Sequence, residues 1–256
     1  MRQKYGQHFL TDRNIITQIV DAALLLRCDQ VVEIGPGKGA LTHELVRRGL
    51  THFTAVEIDP QMTDYLSTHL PPQAEIRLLQ KNFLNLDLTT LPSKPTTFIS
   101  NLPYLDAARI LDKVLAWSYF QTAVFMFQKE HAQKILARPG TDFYGPMSIF
   151  SQLRARVHLL CRVGRICFTP PPKVESAVLI FERISPPDLP WSPLHRLVSR
   201  AFLHRRKTLL NALSLGGYDK TATVEALAAL RLPPDIRPEK VSPAQYVQLT
   251  RLLAAA

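Results

Sequence analysis

The sequence predicts an α/β fold: a seven-stranded Rossmann-like sheet followed by a small all-helical C-terminal domain. Three observations carry this. Short apolar runs alternate with helical patterns through the first two thirds of the chain, which implies a largely parallel sheet covered on both faces. The last two runs, Val157–Val163 and Ala177–Ile184, have no helix-length segment between them and read as an antiparallel pair at the sheet's end. A proline-rich stretch, Ser185–Pro193, then interrupts the pattern, and only helical periodicity follows it.

The first five strands are read at Val31–Ile34, Phe53–Ile58, Ile76–Leu79, Phe98–Ser100 and Ala123–Phe127. Helical stretches between them include Leu41–Arg48, Gln61–His69 and Ala107–Trp117. Beyond the linker, helices are expected over Leu194–Arg205, Lys207–Leu215, Thr221–Leu230 and Pro243–Leu253. Ser242 suits the N-cap of the last helix, with Pro243 at its first position. The expected domains are therefore residues 1–184 and 185–256.

Composition narrows the partners. The chain has 256 residues, 46% of them apolar, so a sizeable core is available and disorder is disfavoured. Thirty-one Lys and Arg against 21 Asp and Glu give a formal charge of +10, which points to a polyanionic partner. Cys28, Cys161 and Cys167 are too few and wrongly spaced for a zinc site or a disulfide framework, and they suggest buried thiols in a reducing compartment. With no signal-peptide stretch and no run long enough to span a membrane, a cytoplasmic protein is expected.

Two motifs carry chemistry. Glu33-Ile34-Gly35-Pro36-Gly37-Lys38-Gly39-Ala40 is a strand, a glycine loop and a helix start. The glycines let backbone approach a ligand, and the helix offers unpaired N–H groups. Gly35, Gly37 and Ala40 also fit a dinucleotide fingerprint, and Glu57, ending the next strand, would take ribose hydroxyls in either class. The loop alone thus leaves NAD and S-adenosylmethionine both open; the extra acid Glu33 fits the second better. Asn82, after the third strand, is where an adenine contact is expected, and Ile58 could pack on the adenine face or belong to the core.

The second motif favours a methyl donor. Asn101-Leu102-Pro103-Tyr104 ends the fourth strand. The N6 lone pair of adenine is delocalised into its ring, so the amine is a poor nucleophile. Two acceptors, the Asn101 side-chain oxygen and the Leu102 carbonyl, would draw its N–H bonds and turn the lone pair toward the donor. Pro103 stiffens the corner, and Tyr104 offers a face for the base.

Together these residues closely resemble the KsgA/RsmA family of small-subunit ribosomal RNA adenine N6,N6-dimethyltransferases. The resemblance runs nearly end to end: Lys4-Tyr5-Gly6-Gln7-His8-Phe9-Leu10, the glycine loop, the Asn-Leu-Pro-Tyr corner, the proline box Phe168–Val178, and the basic segment Ala201–Leu209. It implies a class I methyltransferase sheet, S-adenosylmethionine as cofactor, no metal, and dimethylation of two adjacent adenosines in the 3′-terminal hairpin of 16S RNA within a pre-30S particle, by a monomer. It places His8 and Leu10 over the cofactor, Gly35 and Gly37 against it, Glu57 on its ribose, Asn82 and Ile58 at its adenine, and Asn101 where cofactor and target amine meet. Phe168 would stack on the target base opposite Tyr104, each face worth about 1–3 kcal/mol toward unstacking. Lys173, Arg200, Arg205, Arg206 and Lys207 would hold RNA phosphates, with Arg196, Arg154, Arg156, Arg162 and Arg165 extending that surface.

The chain departs from the family pattern at Asn82, where most relatives carry Asp, at Leu105-Asp106-Ala107 after the acceptor corner, where they usually carry Asn-Ile-Ser, and at Pro146. Rival readings are an Erm-like methylase of large-subunit RNA, an RNA-binding factor with idle catalysis, and a DNA adenine methylase, which usually has a second proline where Leu102 stands.

Overall fold

The structure is a computed structural model and describes residues 8–71, 74–188, 191–204 and 206–254. Its strands are β1 (Phe9–Leu10), β2 (Gln30–Ile34), β3 (His52–Glu57), β4 (Glu75–Gln80), β5 (Thr96–Asn101), β6 (Phe120–Gln128), β7 (Ala155–Val163), β8 (Phe168–Thr169) and β9 (Ser176–Arg183). Seven form one sheet in the order β4-β3-β2-β5-β6-β9-β7. Neighbours from β4 to β6 are parallel, and β9 pairs antiparallel with both β6 and β7. The order reverses between β2 and β5, so the loops leaving these strands diverge and open a crevice at their C-terminal ends, where α/β sheets bind ligands.

The helices are α1 (Arg13–Leu25), α2 (Ala40–Arg47), α3 (Pro60–His69), α4 (Ala107–Ala116), α5 (Lys129–Leu136), α6 (Pro146–Gln152), α7 (Trp191–Leu203), α8 (Leu209–Leu215), α9 (Lys220–Ala229) and α10 (Pro243–Ala254). Asp12 caps α1, its carboxylate accepting from the Asn14 and Ile15 amides, and Pro146 opens α6 as its first residue. Ser242 caps α10 reciprocally: its hydroxyl accepts from the Gln245 amide at 3.3 Å, and the Gln245 side chain accepts from the Ser242 amide at 2.9 Å. Among the described residues no helix is long and apolar enough to cross a membrane.

The chain divides into two compact units, Met1–Ala132 with Ala155–Arg183, and Gln133–Arg154 with Ile184–Ala256. The boundary after residue 183 agrees with the proline-rich linker. Residues 133–154, assigned from sequence to the first domain, belong to the second unit. The reason is packing: Ala137, Tyr144, Ile149 and Leu153 share a core with Leu194, Leu197, Leu213 and Tyr246. The Tyr144 hydroxyl donates to the Val241 carbonyl at 2.8 Å from this buried position. In the first unit, the core beside β2 joins Ile19, Val31, Leu45, Ile99, Val124 and Val178.

Gly39 fixes the start of α2. Its φ is +81°, and a Cβ there would lie 2.7 Å from Leu66 Cδ2 and 3.0 Å from the His43 ring. Leu66 is fully buried and cannot swing aside. Gly39→Ala is therefore expected to cost about 2–3 kcal/mol of stability through backbone strain and overpacking. A urea midpoint equal to that of the wild type would refute this.

Candidate active site

A cavity of about 290 Å3 opens at the C-terminal ends of β2, β3 and β5. Its walls come from the glycine loop, Glu57 and Ile58, the corner Asn101–Tyr104, and the arm His8–Thr11. The Ser100 hydroxyl donates to the Ile34 carbonyl at 2.5 Å, and the Gly35 amide donates to the Val56 carbonyl at 2.9 Å. These bonds hold the acceptor corner, the glycine loop and the end of β3 in register.

Two buried carboxylates face the cavity. Glu57 accepts from the Gly37 amide at 2.9 Å and the Asp59 amide at 2.8 Å, one on each oxygen. Burial nevertheless holds its carboxyl above the ordinary range, against the pull of those bonds. Glu33 is almost wholly buried, with the Thr42 hydroxyl donating to it at 2.7 Å. Burial pushes its pKa up to about 8; the Thr42 bond opposes this and the nearby Glu57 charge adds to it.

The acceptor corner is oriented by the arm. The Asn101 side-chain amide donates to the His8 carbonyl at 3.1 Å. Its NH2 is thereby engaged, and Oδ1 is left as the acceptor at the cavity. Among the described residues no loop or side-chain donor reaches the Leu102 carbonyl. The Tyr104 hydroxyl shares a hydrogen bond with the Ser176 hydroxyl at 2.7 Å, which fixes the ring. The ring facing it is that of His8, with centroids 6.0 Å apart and planes at 29°. His8 Nδ1 in turn bonds the Pro170 carbonyl at 2.8 Å.

A two-strand clip explains how the arm is held. β1 pairs antiparallel with β8 in the register Phe9↔Thr169 and Leu10↔Phe168. The Thr11 amide continues the contact, donating to the Cys167 carbonyl at 2.8 Å. At the other wall, Lys38 Nζ lies 4.9 Å from the centroid of the Phe9 ring.

Most of the predicted cofactor residues converge here: His8, Leu10, Gly35, Gly37, Glu57, Ile58 and Asn101 all line the cavity. Ile58 is 41% exposed, so it is a cavity wall and not a core residue. Two expectations need correction. Phe168 is 2% exposed and packs in the core with Leu10, Val163 and Val178. Pairing with β1 turns its ring inward, so it offers no face to a base in this structure. Asn82 does not line the cavity. Its side-chain oxygen accepts from the Leu84 amide at 2.9 Å and caps the short helix Phe83–Asn85.

Of the basic residues, Lys173, Arg200, Arg206 and Lys207 are exposed, as are Arg156, Arg162, Arg165 and Arg196. Arg154 instead stacks on Trp191, 3.9 Å from its ring centroid. Arg205 and the box residues 4–7 lie outside the described residues. Sequence reasoning passed over Thr42, Ser176 and Lys38. Thr42 sits in the first turn of α2, where its pairing with Glu33 depends on the strand–loop–helix geometry.

A family model described as Ribosomal RNA adenine dimethylase matches residues 1–255. The chain belongs to this family. It is 37% identical over 268 residues to the Ribosomal RNA small subunit methyltransferase A of a Synechococcus strain, covering 98% of this chain and 92% of the relative. It is 38% identical over 262 residues to the protein of that description from Gloeobacter violaceus, covering 98% and 93%. Among solved structures, a dimethyladenosine transferase from Plasmodium falciparum has the same fold, with a TM-score of 0.80, 23% identity, and 94% and 96% of the two chains covered. The 23S rRNA methyltransferase ErmE gives a TM-score of 0.72 at 28% identity, covering 96% and 99%. As a ribosomal RNA adenine dimethylase, the chain is an S-adenosylmethionine-dependent methyltransferase.

The cavity fits that cofactor. Gly35 sits at φ +65°, and a Cβ built there would meet no atom within 4 Å, so this edge of the loop is open to a ligand. The exposed Ile58 supplies an apolar wall, and Glu33 and Glu57 supply carboxylates for a cationic, hydroxyl-bearing molecule.

Proposed function

We propose that this protein dimethylates N6 of two adjacent adenosines in the 3′-terminal hairpin of small-subunit ribosomal RNA, as a cytoplasmic monomer acting on a pre-30S particle. The observation that carries the reading is the Asn101 amide, tied to the His8 carbonyl so that Oδ1 stands as an acceptor beside the Leu102 carbonyl. Support for the small-subunit target comes from the names of the relatives that match nearly the whole chain at 37–38% identity.

Bound S-adenosylmethionine supplies an electrophilic methyl group on its sulfonium. Gly35, Gly37, Glu57 and Ile58 would hold this molecule, and Glu33, once ionised, would balance its positive charge. Asn101 Oδ1 and the Leu102 carbonyl accept the two N–H bonds of the target amine and turn its lone pair toward the methyl group. Tyr104 stacks on the extruded base, its ring fixed by Ser176. Transfer would make the C–N bond as the methyl–sulfur bond breaks, the electron pair staying on a neutral thioether sulfur, and the methylated amine, now acidic, would lose its proton to water, so positioning does most of the work. In the second transfer one N–H is already replaced, and the two acceptors share the single one that remains. Exposed Lys173, Arg200, Arg206 and Lys207 neutralise RNA phosphates, with Arg205 completing the basic run of the sequence.

The deciding experiment is nucleotide mapping on undermodified small-subunit RNA with and without the protein. Two adjacent adenosines near the 3′ end should become N6,N6-dimethylated. Modification confined to large-subunit RNA would overturn the target, and no modification of either RNA would overturn the reaction.

A further inference from the structure

Leu105 follows the acceptor corner directly and takes no part in the chemistry above. It is 93% exposed, the highest value among the large apolar residues described. Leu25 and Ile166 come near it, at 86% and 91%. Single exposed apolar residues are ordinary on a protein surface, so position decides. Of the three, only Leu105 adjoins in sequence a residue of the cavity wall, Tyr104. Pro103, before that tyrosine, is exposed as well. Tyr104 is thus flanked in the chain by two apolar residues open to solvent.

The turn that presents Leu105 is firmly built. The Asp106 amide donates to the Pro103 carbonyl at 3.1 Å, and the Ile110 amide donates to the Asp106 carbonyl at 2.9 Å. Ala107 is fully buried and anchors the start of α4. Arg109 pairs with the Asp106 carboxylate at 3.2 Å, so the acid next to Leu105 has its own cation. What the turn holds out to solvent is therefore an apolar tip. The core has no need of it, since the side chain is almost wholly in water. Leucine stands where relatives usually carry Asn, so a hydrogen-bonding side chain has given way to one suited to an apolar surface and not to a phosphate.

We infer that Leu105 packs on the face of the nucleobase next to the extruded adenosine and covers the surface which that adenosine leaves bare. The contact rests on the proposed reaction and adds to it the residue that receives the neighbouring base. Extruding a purine from its stack costs energy, because the base beside it loses a partner. Leucine is among the apolar side chains that wedge against unstacked base steps. Holding it on a pinned turn lowers the ordering cost of the contact. Because the contact is to the face of a base and not its edge, it favours extrusion without reading base identity.

The test compares the full chain with its Leu105→Asn and Leu105→Met variants on undermodified small subunits. Single-turnover methyl incorporation at subsaturating substrate should fall about tenfold in Leu105→Asn, as expected for losing the partial burial of one leucine side chain. It should stay within about twofold in Leu105→Met, which keeps the apolar bulk. Calorimetric affinity for S-adenosylmethionine and the urea midpoint should match the wild type in both, because the side chain neither lines the cavity nor packs in the core. A diazirine-bearing leucine analogue at position 105 should crosslink, on irradiation, to one of the two target adenosines or to a nucleotide beside them. A wild-type rate in Leu105→Asn, an equal loss in Leu105→Met, a parallel fall in cofactor affinity, or a crosslink that is absent or maps elsewhere would each overturn the contact while leaving the proposed reaction intact. Wild-type protein that methylates no adenosine of the subunit would overturn that reaction itself.

Discussion

Asn101→Ala is expected to slow methyl transfer at least about a thousandfold, with RNA retention on a filter within about twofold of the wild type. The size follows from what the side chain does at two ends. Its Nδ2 donates to the His8 carbonyl at 3.1 Å, so the amide cannot rotate freely and Oδ1 is held at the cavity. In the proposed reaction that oxygen is one of two acceptors for an amine whose lone pair would otherwise stay in the ring π-system. Losing a preorganised polar group at a reacting centre typically costs about 10²–10³ in rate. Here the arm loses its tie as well. Asn101→Asp separates the two effects: it keeps an acceptor oxygen but sets a carboxylate against the His8 carbonyl. Single-turnover methyl incorporation at saturating cofactor and RNA is the measurement. An alanine variant within tenfold of wild type would show that Asn101 does not position the amine. RNA retention lost in proportion to rate would show instead that it binds the substrate.

The same geometry shows why parts of this site were legible in the sequence and parts were not. Gly35, Gly37, Glu57 and Asn101 sit at strand ends, and strand ends follow from apolar runs and their breaks. Once β2, β3 and β5 are neighbours, these residues must meet. The seven strands and the antiparallel pair at the sheet's end were read from the same local signals. The clip of β1 on β8 was not, because each strand is two residues long and the partners are far apart in sequence. That pairing decides the fate of Phe168. A proline-rich flank argues for a surface ring, but the register Leu10↔Phe168 puts the ring in the core. Asn82 stands off the cavity wall as a cap, which was in principle readable, since an Asn two residues before the Leu84 amide is a ready cap. The second unit took in residues 133–154 because Tyr144 and Ile149 belong to its core, a long-range fact that the linker position does not carry.

Glu33→Gln should stabilise the first unit at pH 8 and leave it nearly unchanged near pH 5. Burial raises the Glu33 pKa from 4.5 to about 8. Between those values the folded chain keeps a proton that the unfolded chain has released. The unfolded state therefore binds fewer protons, and stability falls as pH rises through this window. The group imposes no penalty below about pH 4.5, and by pH 8 the loss is on the order of 4 kcal/mol. Glutamine keeps an oxygen for the Thr42 hydroxyl and carries no ionisable proton, so its stability should not show this slope. Trp117 and Trp191 are the two tryptophans, and they fall in different units. In a Trp191→Phe background, Trp117 fluorescence follows the first unit through urea unfolding at pH 5, 6.5 and 8. Identical pH slopes with and without the Glu33→Gln substitution would mean that no proton is held there. A functional consequence has the opposite sign. A cationic ligand in this cavity favours the carboxylate, so binding must displace the Glu33 proton below pH 8. Wild-type affinity for S-adenosylmethionine should therefore tighten as pH rises from 6 to 8, while the Glu33→Gln variant binds more weakly and without that slope. The charge that costs the fold stability is thus the charge that selects the ligand.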